Sequence, residues 1–198
     1  MDVKISTGNI KIDNTWNVNI PPPMMCQGMP CLKRCYSMKA WRLYPNVRDM
    51  WTQNYEFYKS DPQGYFDSII RQIQGAKFTV KFFRWHSAGE IVDHAYFEGI
   101  VKVASVCKKT KFLIYTKRYE LADYKHPKNL QIIFSVWPGM EVSQELAINK
   151  PMSWVDDKIT PVISLKDKKP FYCKGHCADC RLCWKLSSLK KDVIFHQH

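Results

Sequence analysis

Four cysteines fall within the stretch Cys173-Lys-Gly-His-Cys177-Ala-Asp-Cys180-Arg-Leu-Cys183-Trp184, at spacings C-x3-C-x2-C-x2-C. No other stretch so restricts what the chain can fold into. Thiolates two or three residues apart turn inward around one ion or cluster, because the intervening backbone loops without strain and aims its N–H groups at the sulfurs. Paired disulfides are a poor alternative, since bridges between such close neighbours are strained. Zinc is the serious competitor, because four thiolates close a tetrahedral site. Zinc knuckles, however, usually come as two C-x2-C pairs with a long spacer, whereas a tight run of cysteines is the iron–sulfur pattern.

A second group sits near the amino end. Met24-Met-Cys26-Gln-Gly-Met-Pro-Cys31-Leu-Lys-Arg-Cys35 carries a trio at C-x4-C-x3-C, with Gly28 and Pro30 to bend the loop. Three thiolates leave one position of a cluster or zinc open, which is what a reactive site needs. The eighth cysteine, Cys107, falls on the inner face of a helical pattern with Tyr96, Ile100, Val103 and Ala104 and reads as a core thiol. The metal ligands expected are therefore Cys26, Cys31, Cys35, Cys173, Cys177, Cys180 and Cys183, holding one or two 4Fe–4S clusters, with zinc as the alternative.

The chain has 198 residues, 45% of them apolar and 14% aromatic, which is a globular composition sufficient for one sizeable core. No run approaches the ~18 apolar residues of a membrane helix, and Met1-Asp-Val-Lys-Ile-Ser carries no apolar signal segment. The expectation is a cytoplasmic protein with no membrane partner, whose cysteines are ligands and not bridges. The formal charge is +12, and two clusters would bring it to about +9. Lys108-Lys109, Lys166–Lys169 and Lys190-Lys191 are small, scattered runs, so a nucleic-acid partner at the basic surface is permitted and not specified. The oligomeric state is not legible.

Along the chain, residues 1–36 read as opening strands and the Cys loop. Residues 9–14 and Trp16–Ile20 alternate apolar and polar residues, and Pro21-Pro-Pro23 stops regular pairing. A helix follows from Pro45 with Val47, Met50, Trp51, Tyr55 and Tyr58 on one face. Asp61-Pro62 caps a second one running to about Gln74, with Phe66, Ile69, Ile70 and Ile73 inward and Gly75 at its end. Residues 77–165 then alternate. Strands are expected at Lys77–Trp85, Lys111–Thr116, Asn129–Trp137, Ser153–Val155 and Thr160–Ser164. Helices are expected from Asp93 to about Lys108, at Tyr119–Tyr124 and around Glu141–Ile148. This order implies one α/β domain with a parallel sheet and right-handed crossovers, followed by a Cys-rich tail over 166–198. Ligands of such sheets sit beyond the carboxyl ends of the strands, where Arg84 and His86–Glu90, then Thr116-Lys117-Arg118, then Ser135 and Trp137 fall, and the tail cysteines could fold back over the same edge.

The Cys35-Tyr36-Ser37-Met-Lys39 segment, Phe83-Arg-Trp-His-Ser-Ala-Gly-Glu90-Ile, Tyr115-Thr-Lys117 and Cys177-x2-Cys180-x2-Cys183-Trp184 together resemble the gene product 88 family of bacteriophage proteins, over nearly the whole chain. That resemblance implies the cytoplasm of an infected host cell. A broader resemblance is to radical S-adenosylmethionine enzymes, in which a three-cysteine loop after the first barrel strand binds a 4Fe–4S cluster and a Gly-Gly-Glu-like motif binds the nucleotide's amino group. Cys26, Cys31 and Cys35 are similar to the first feature, and Ala88-Gly89-Glu90 to the second. The trio's spacing departs from that superfamily's C-x3-C-x2-C, which occurs instead at Cys173, Cys177 and Cys180. The resemblance implies a partial (β/α) barrel and S-adenosylmethionine as a small nucleotide ligand at His86, Ser87, Gly89, Glu90 and Lys117, with the tail quartet as an auxiliary cluster. The substrate is unknown. The alternative is a non-catalytic chain stapled by iron–sulfur or zinc, binding nucleic acid or a protein.

Overall fold

The computed structural model describes residues 1–7, 15–159 and 168–196. The expected strand at Thr160–Ser164 and the alternating segment at 9–14 lie outside the described residues. Seven strands form one wholly parallel sheet in the order β1-β2-β3-β4-β5-β7-β6. They are β1 (Trp16–Val18), β2 (Phe82–Trp85), β3 (Lys111–Thr116), β4 (Leu130–Val136), β5 (Met152–Asp156), β6 (Phe171–Tyr172) and β7 (Val193–His196). The α/β class expected from the alternation is therefore observed. Among the described residues no helix is long and apolar enough to cross a membrane.

Local signals set the helices. After β1, Pro22 opens the short α1 (Pro22–Met25), a 3-10 turn covers Pro30–Arg34, and α2 (Tyr36–Leu43) leads into α3 (Pro45–Ser60). Asp61 accepts the Gly64 N–H and starts α4 (Pro62–Gln74), while Asp93 accepts the Tyr96 N–H and starts α5 (His94–Val106). Each such cap contributes roughly 1 kcal/mol, because it satisfies a donor that the first helical turn leaves free. A 3-10 turn at Tyr119–Leu121 follows β3, and α6 (Gln144–Asn149) precedes β5. The strand expected from Lys77 begins only at Phe82, because residues 75–81 have no strand partner above that point and serve as the link from α4.

The sheet buries two different faces. Phe83, Trp85, Phe112, Ile114, Ile132 and Phe134 point into the larger core, where Tyr58, Tyr65, Phe66 and Tyr96 interlock edge to face. Cys107 belongs to this core, as its helical spacing suggests. The residues between them on the strands, Phe82, Leu113, Tyr115 and Ile133, face the other way and meet Cys183, Trp184 and Leu186.

That second face corrects the expectation for the carboxyl-terminal segment. It is not a tail folded over a strand edge. Strand β7 inserts between β5 and β6, so the chain from 173 to 190 must cross the open face of the sheet. Within it lie α7 (Cys177–Cys180), a 3-10 turn at Leu182–Lys185 and α8 (Leu186–Leu189). Gln131 donates to Ser187 Oγ at 2.8 Å and accepts the Ser187 N–H at 3.0 Å, bolting α8 to β4. Arg181 lies over the rings of Phe82 and Trp184 at 4.3 and 5.2 Å, and its guanidinium donates to Thr15 beside β1. Asp192, buried before β7, accepts from the Met152 N–H, the Trp154 indole and Lys168 Nζ.

Candidate functional site

The crossing segment carries all four tail cysteines. Cys173 follows β6, its N–H bonded to the Ile194 carbonyl at 2.8 Å. Cys177 and Cys180 open and close the single turn of α7, and Cys183 sits in the following 3-10 turn. All four line one narrow pocket with Phe171, Gly175, His176 and Trp184, whose free volume is about 10 Å³, room for a single water-sized group. Gly175, at φ +77°, turns its N–H toward Cys173 Sγ at 3.4 Å. A donor aimed at a sulfur is the interaction that stabilises a metal-bound thiolate.

Two residues of the sheet, Arg84 and Tyr115, lie close to Cys177 and Cys183. Arg84 of β2 lies against the Tyr115 ring at 5.1 Å, its Nε is buried without a partner, and among the described residues no carboxylate pairs with it. Burial works against its charge, but the Tyr36 and Tyr115 phenols and the Cys177 and Cys183 thiols beside it hold its pKa above the ordinary value. Burial pushes the Cys183 thiol up to about 12, while a hydrogen bond from Tyr115 works the other way. Burial also raises Cys177, opposed by Arg84. Without a metal, Cys177 and Cys183 are thus held toward the thiol form, close to a cation with no carboxylate partner among the described residues. Four thiolates around a metal centre would supply an anion for it, and the donor set fits such a group on these grounds. Among the described residues, no three His, Cys, Asp or Glu side chains form a group able to hold a single metal ion. The fit rests on the shared pocket, the N–H aimed at Cys173 and the unpaired Arg84.

The amino-terminal trio lies beyond the carboxyl end of β1. Cys26 ends α1, Cys31 lies in the Pro30–Arg34 turn, and Cys35 precedes α2. The trio is therefore carried on short helical turns. The Tyr36 hydroxyl and Ser37 Oγ both donate to the Ser87 carbonyl, which docks this segment on the turn after β2. Burial pushes Cys26 up to about 12, with Glu90 adding to the shift, Lys117 opposing it, and Cys31 and Cys35 adding again. Cys26 thus lies in the neighbourhood of Glu90, Lys117 and the other two thiols.

Of the strand-end residues, Glu90 and Lys117 are brought into contact, with Glu90 turned inward. Its carboxylate accepts the Ile91 N–H at 2.8 Å, Thr116 Oγ1 at 2.7 Å and the Lys117 N–H at 2.9 Å. It does not cap α5, which Asp93 does. Gly89 takes φ +98°, and a Cβ there would lie 2.7 Å from the Ile20 carbonyl oxygen, so only glycine lets the turn pass β1. His86 is buried at φ +53°, its N–H bonded to the Val18 carbonyl and its ring against Tyr96. Neither ring nitrogen has a partner, and burial lowers its pKa to about 3. Ser87 Oγ is likewise buried without a partner, and Lys117 is half-buried. The Asn19 side chain, which no motif marked, accepts the Ala88 N–H at 2.9 Å and fixes the same turn.

The sequence puts Arg84 among the strand-end residues, at an edge the tail cysteines could fold back over, but does not single out Tyr115 or set Arg84 on the sheet face that meets Cys177 and Cys183. The signal was present in Phe82-Phe83-Arg84-Trp85: a cation inside an aromatic strand, on the face opposite Phe83 and Trp85.

A family model described as Gene product 88 matches residues 3–186, which includes both cysteine groups and the turn after β2. No curated protein and no solved structure matches the chain. The match spans nearly all of the sequence, and the chain belongs to the Gene product 88 family.

Proposed function

We propose that this is an iron–sulfur protein whose Cys173, Cys177, Cys180 and Cys183 hold a 4Fe–4S cluster on the open face of the sheet. The observation that carries the reading is that one pocket is lined by all four thiols, with the carboxylate-free Arg84 close to Cys177 and Cys183. A cluster of this kind supplies one-electron transfer when bound. The chain's own part is to shed the thiol protons, to aim the Gly175 N–H at Cys173, and to offset the added negative charge with Arg84 and the Tyr115 hydroxyl. All eight cysteines are free, which suits the reducing cytoplasm of an infected host. Anaerobic purification tests it: the protein should be brown, contain iron and sulfide, and bleach with dithionite. A colourless protein with one tightly bound zinc per chain would assign the quartet to zinc instead.

A second centre at Cys26, Cys31 and Cys35, with an S-adenosylmethionine-type nucleotide beside it on a partial barrel, is favoured by one specific arrangement. The trio follows β1, and its Cys26 shares its surroundings with Glu90 and Lys117 from the ends of β2 and β3. Because Glu90 already accepts three hydrogen bonds, it would contribute charge more than a free acceptor. Lys117 would be the group left to meet a carboxylate. Anaerobic incubation of the reconstituted protein with S-adenosylmethionine and a reductant, following 5′-deoxyadenosine, tests this reading. No cleavage, and no change in the cluster spectrum on adding the nucleotide, leaves a non-catalytic iron–sulfur protein.

A further inference from the structure

Every strand of a parallel sheet begins at the same edge, and here that edge collects lysines that look dispersed in the sequence. Lys81 immediately precedes β2, Lys111 is the first residue of β3, and the Lys111 N–H donates to the Lys81 carbonyl at 2.9 Å. Lys128 lies just before β4, whose preceding residue Asn129 accepts from the Phe112 N–H at 2.7 Å. Lys108 and Lys109 occupy the turn from α5 into β3, and Lys77 the link from α4 into β2. All six are exposed, and among the described residues none pairs with a carboxylate.

The neighbouring chain adds no negative charge. Residues 68–89, 99–119 and 124–140 contain no aspartate or glutamate. The edge is also rigid. Asn129 Nδ2 donates to the carbonyls of Ala104, Cys107 and Thr110, and Thr110 Oγ1 donates to Val80 O at 2.7 Å. These bonds tie the starts of β2, β3 and β4 together. Adjacent strands are about 4.8 Å apart, so the three strand starts present their cations across roughly 10 Å. Lys77 and Lys108 follow helix ends, where they complement the helix dipoles; Lys81, Lys109, Lys111 and Lys128 lack even that partner.

We infer that this edge binds the phosphate backbone of double-stranded nucleic acid, through lysines alone and without reading its sequence. Duplex DNA carries one negative charge per about 1.7 Å of axis, a dense, stiff polyanion that meets several strand starts at once. Lysine is a point charge without the planar fork that reads bases or carboxylates in pairs. The candidate metal pocket lies on the sheet's open face, so this edge works with or without a metal.

The test is fluorescence anisotropy of a short random-sequence DNA duplex with the full chain over a salt series. Six phosphate contacts predict a log–log salt slope of about −5. Reversing Lys108→Glu, Lys109→Glu and Lys111→Glu together should weaken binding by at least about tenfold and flatten the slope by about 3. The control reverses Lys39→Glu, Arg42→Glu and Arg48→Glu on α2 and α3, with the same change in net charge, and should leave binding within about twofold. A neutral triple Lys108→Gln, Lys109→Gln, Lys111→Gln, with its melting temperature checked, separates lost contacts from lost folding. Equal losses in the two charge-reversed proteins would mean that net charge alone drives association and would overturn the assignment. So would the absence of binding at low salt, or competition by polyglutamate as effective as that by unlabelled duplex.

Discussion

The Thr116 hydroxyl donates to the buried Glu90 carboxylate at 2.7 Å, joining the end of β3 to the turn that leaves β2. With the Ile91 and Lys117 N–H groups on the same carboxylate, this is a fixed corner of the sheet. Glu90→Gln keeps the shape but replaces an acceptor with an amide donor, which leaves a buried donor without a partner. We expect a loss of about 2 kcal/mol in urea unfolding. Thr116→Val should cost about 1 kcal/mol, and the double variant less than the sum, because both remove the same bond. Unfolding midpoints unchanged by Glu90→Gln would show that the carboxylate is not the anchor.

His86 makes acid stability a readout of its burial. Its folded pKa of about 3 lies below the ordinary 6.5, so between those values the unfolded chain binds the extra proton. Stability from this residue is fully present above pH 6.5 and falls as pH drops toward 3, by up to about 1.4 kcal/mol per pH unit. Asparagine tolerates a positive φ and does not titrate. The slope of unfolding free energy against pH should therefore be shallower in His86→Asn than in the parent over that window. Parallel slopes would mean that the imidazole is protonated in the folded protein.

The Lys168–Asp192 pair is buried, with side-chain exposures of 9% and 4%. It holds the start of β7 against β5 whether or not a metal is bound. Asp192→Ala leaves Lys168 with only the Ala147 and Lys150 carbonyls, frees the Met152 N–H and the Trp154 indole, and should cost about 3 kcal/mol. Loss of thermal stability in the metal-free protein is the measurement. A cost seen only in the metal-loaded protein would place the staple in the metal instead.

Cysteine variants separate ligands from core. Cys180→Ala should lower iron content and melting temperature together, because ligation contributes folding free energy. Cys107→Ala, within the helix-packed core, should leave iron per chain unchanged and cost the stability of a small buried side chain. Iron lost from Cys107→Ala would move that thiol into the site.

Arg84 should act through charge. Arg84→Gln removes the cation beside Cys177 and Cys183 and should weaken metal retention against a chelator, while Arg84→Lys retains part of it. Equal chelator resistance in all three proteins would separate Arg84 from the quartet.

The sequence by itself determined the local elements. Asp61-Pro62 and Asp93 carry their own helix starts, and Lys111–Thr116 is a strand by composition, because caps and side-chain periodicity act over a few residues. It also determined Cys107, whose helical spacing leaves it facing the core. What the tertiary structure decided was non-local pairing. Strands β6 and β7 are too short to announce themselves, and the insertion of β7 between β5 and β6 sends the quartet across the open face to Arg84 and Tyr115. The inward turn of Glu90 depends on donors 26 and 27 residues away. Parallel topology likewise turned scattered lysines into one edge, since strand starts distant in sequence become neighbours only when the strands align.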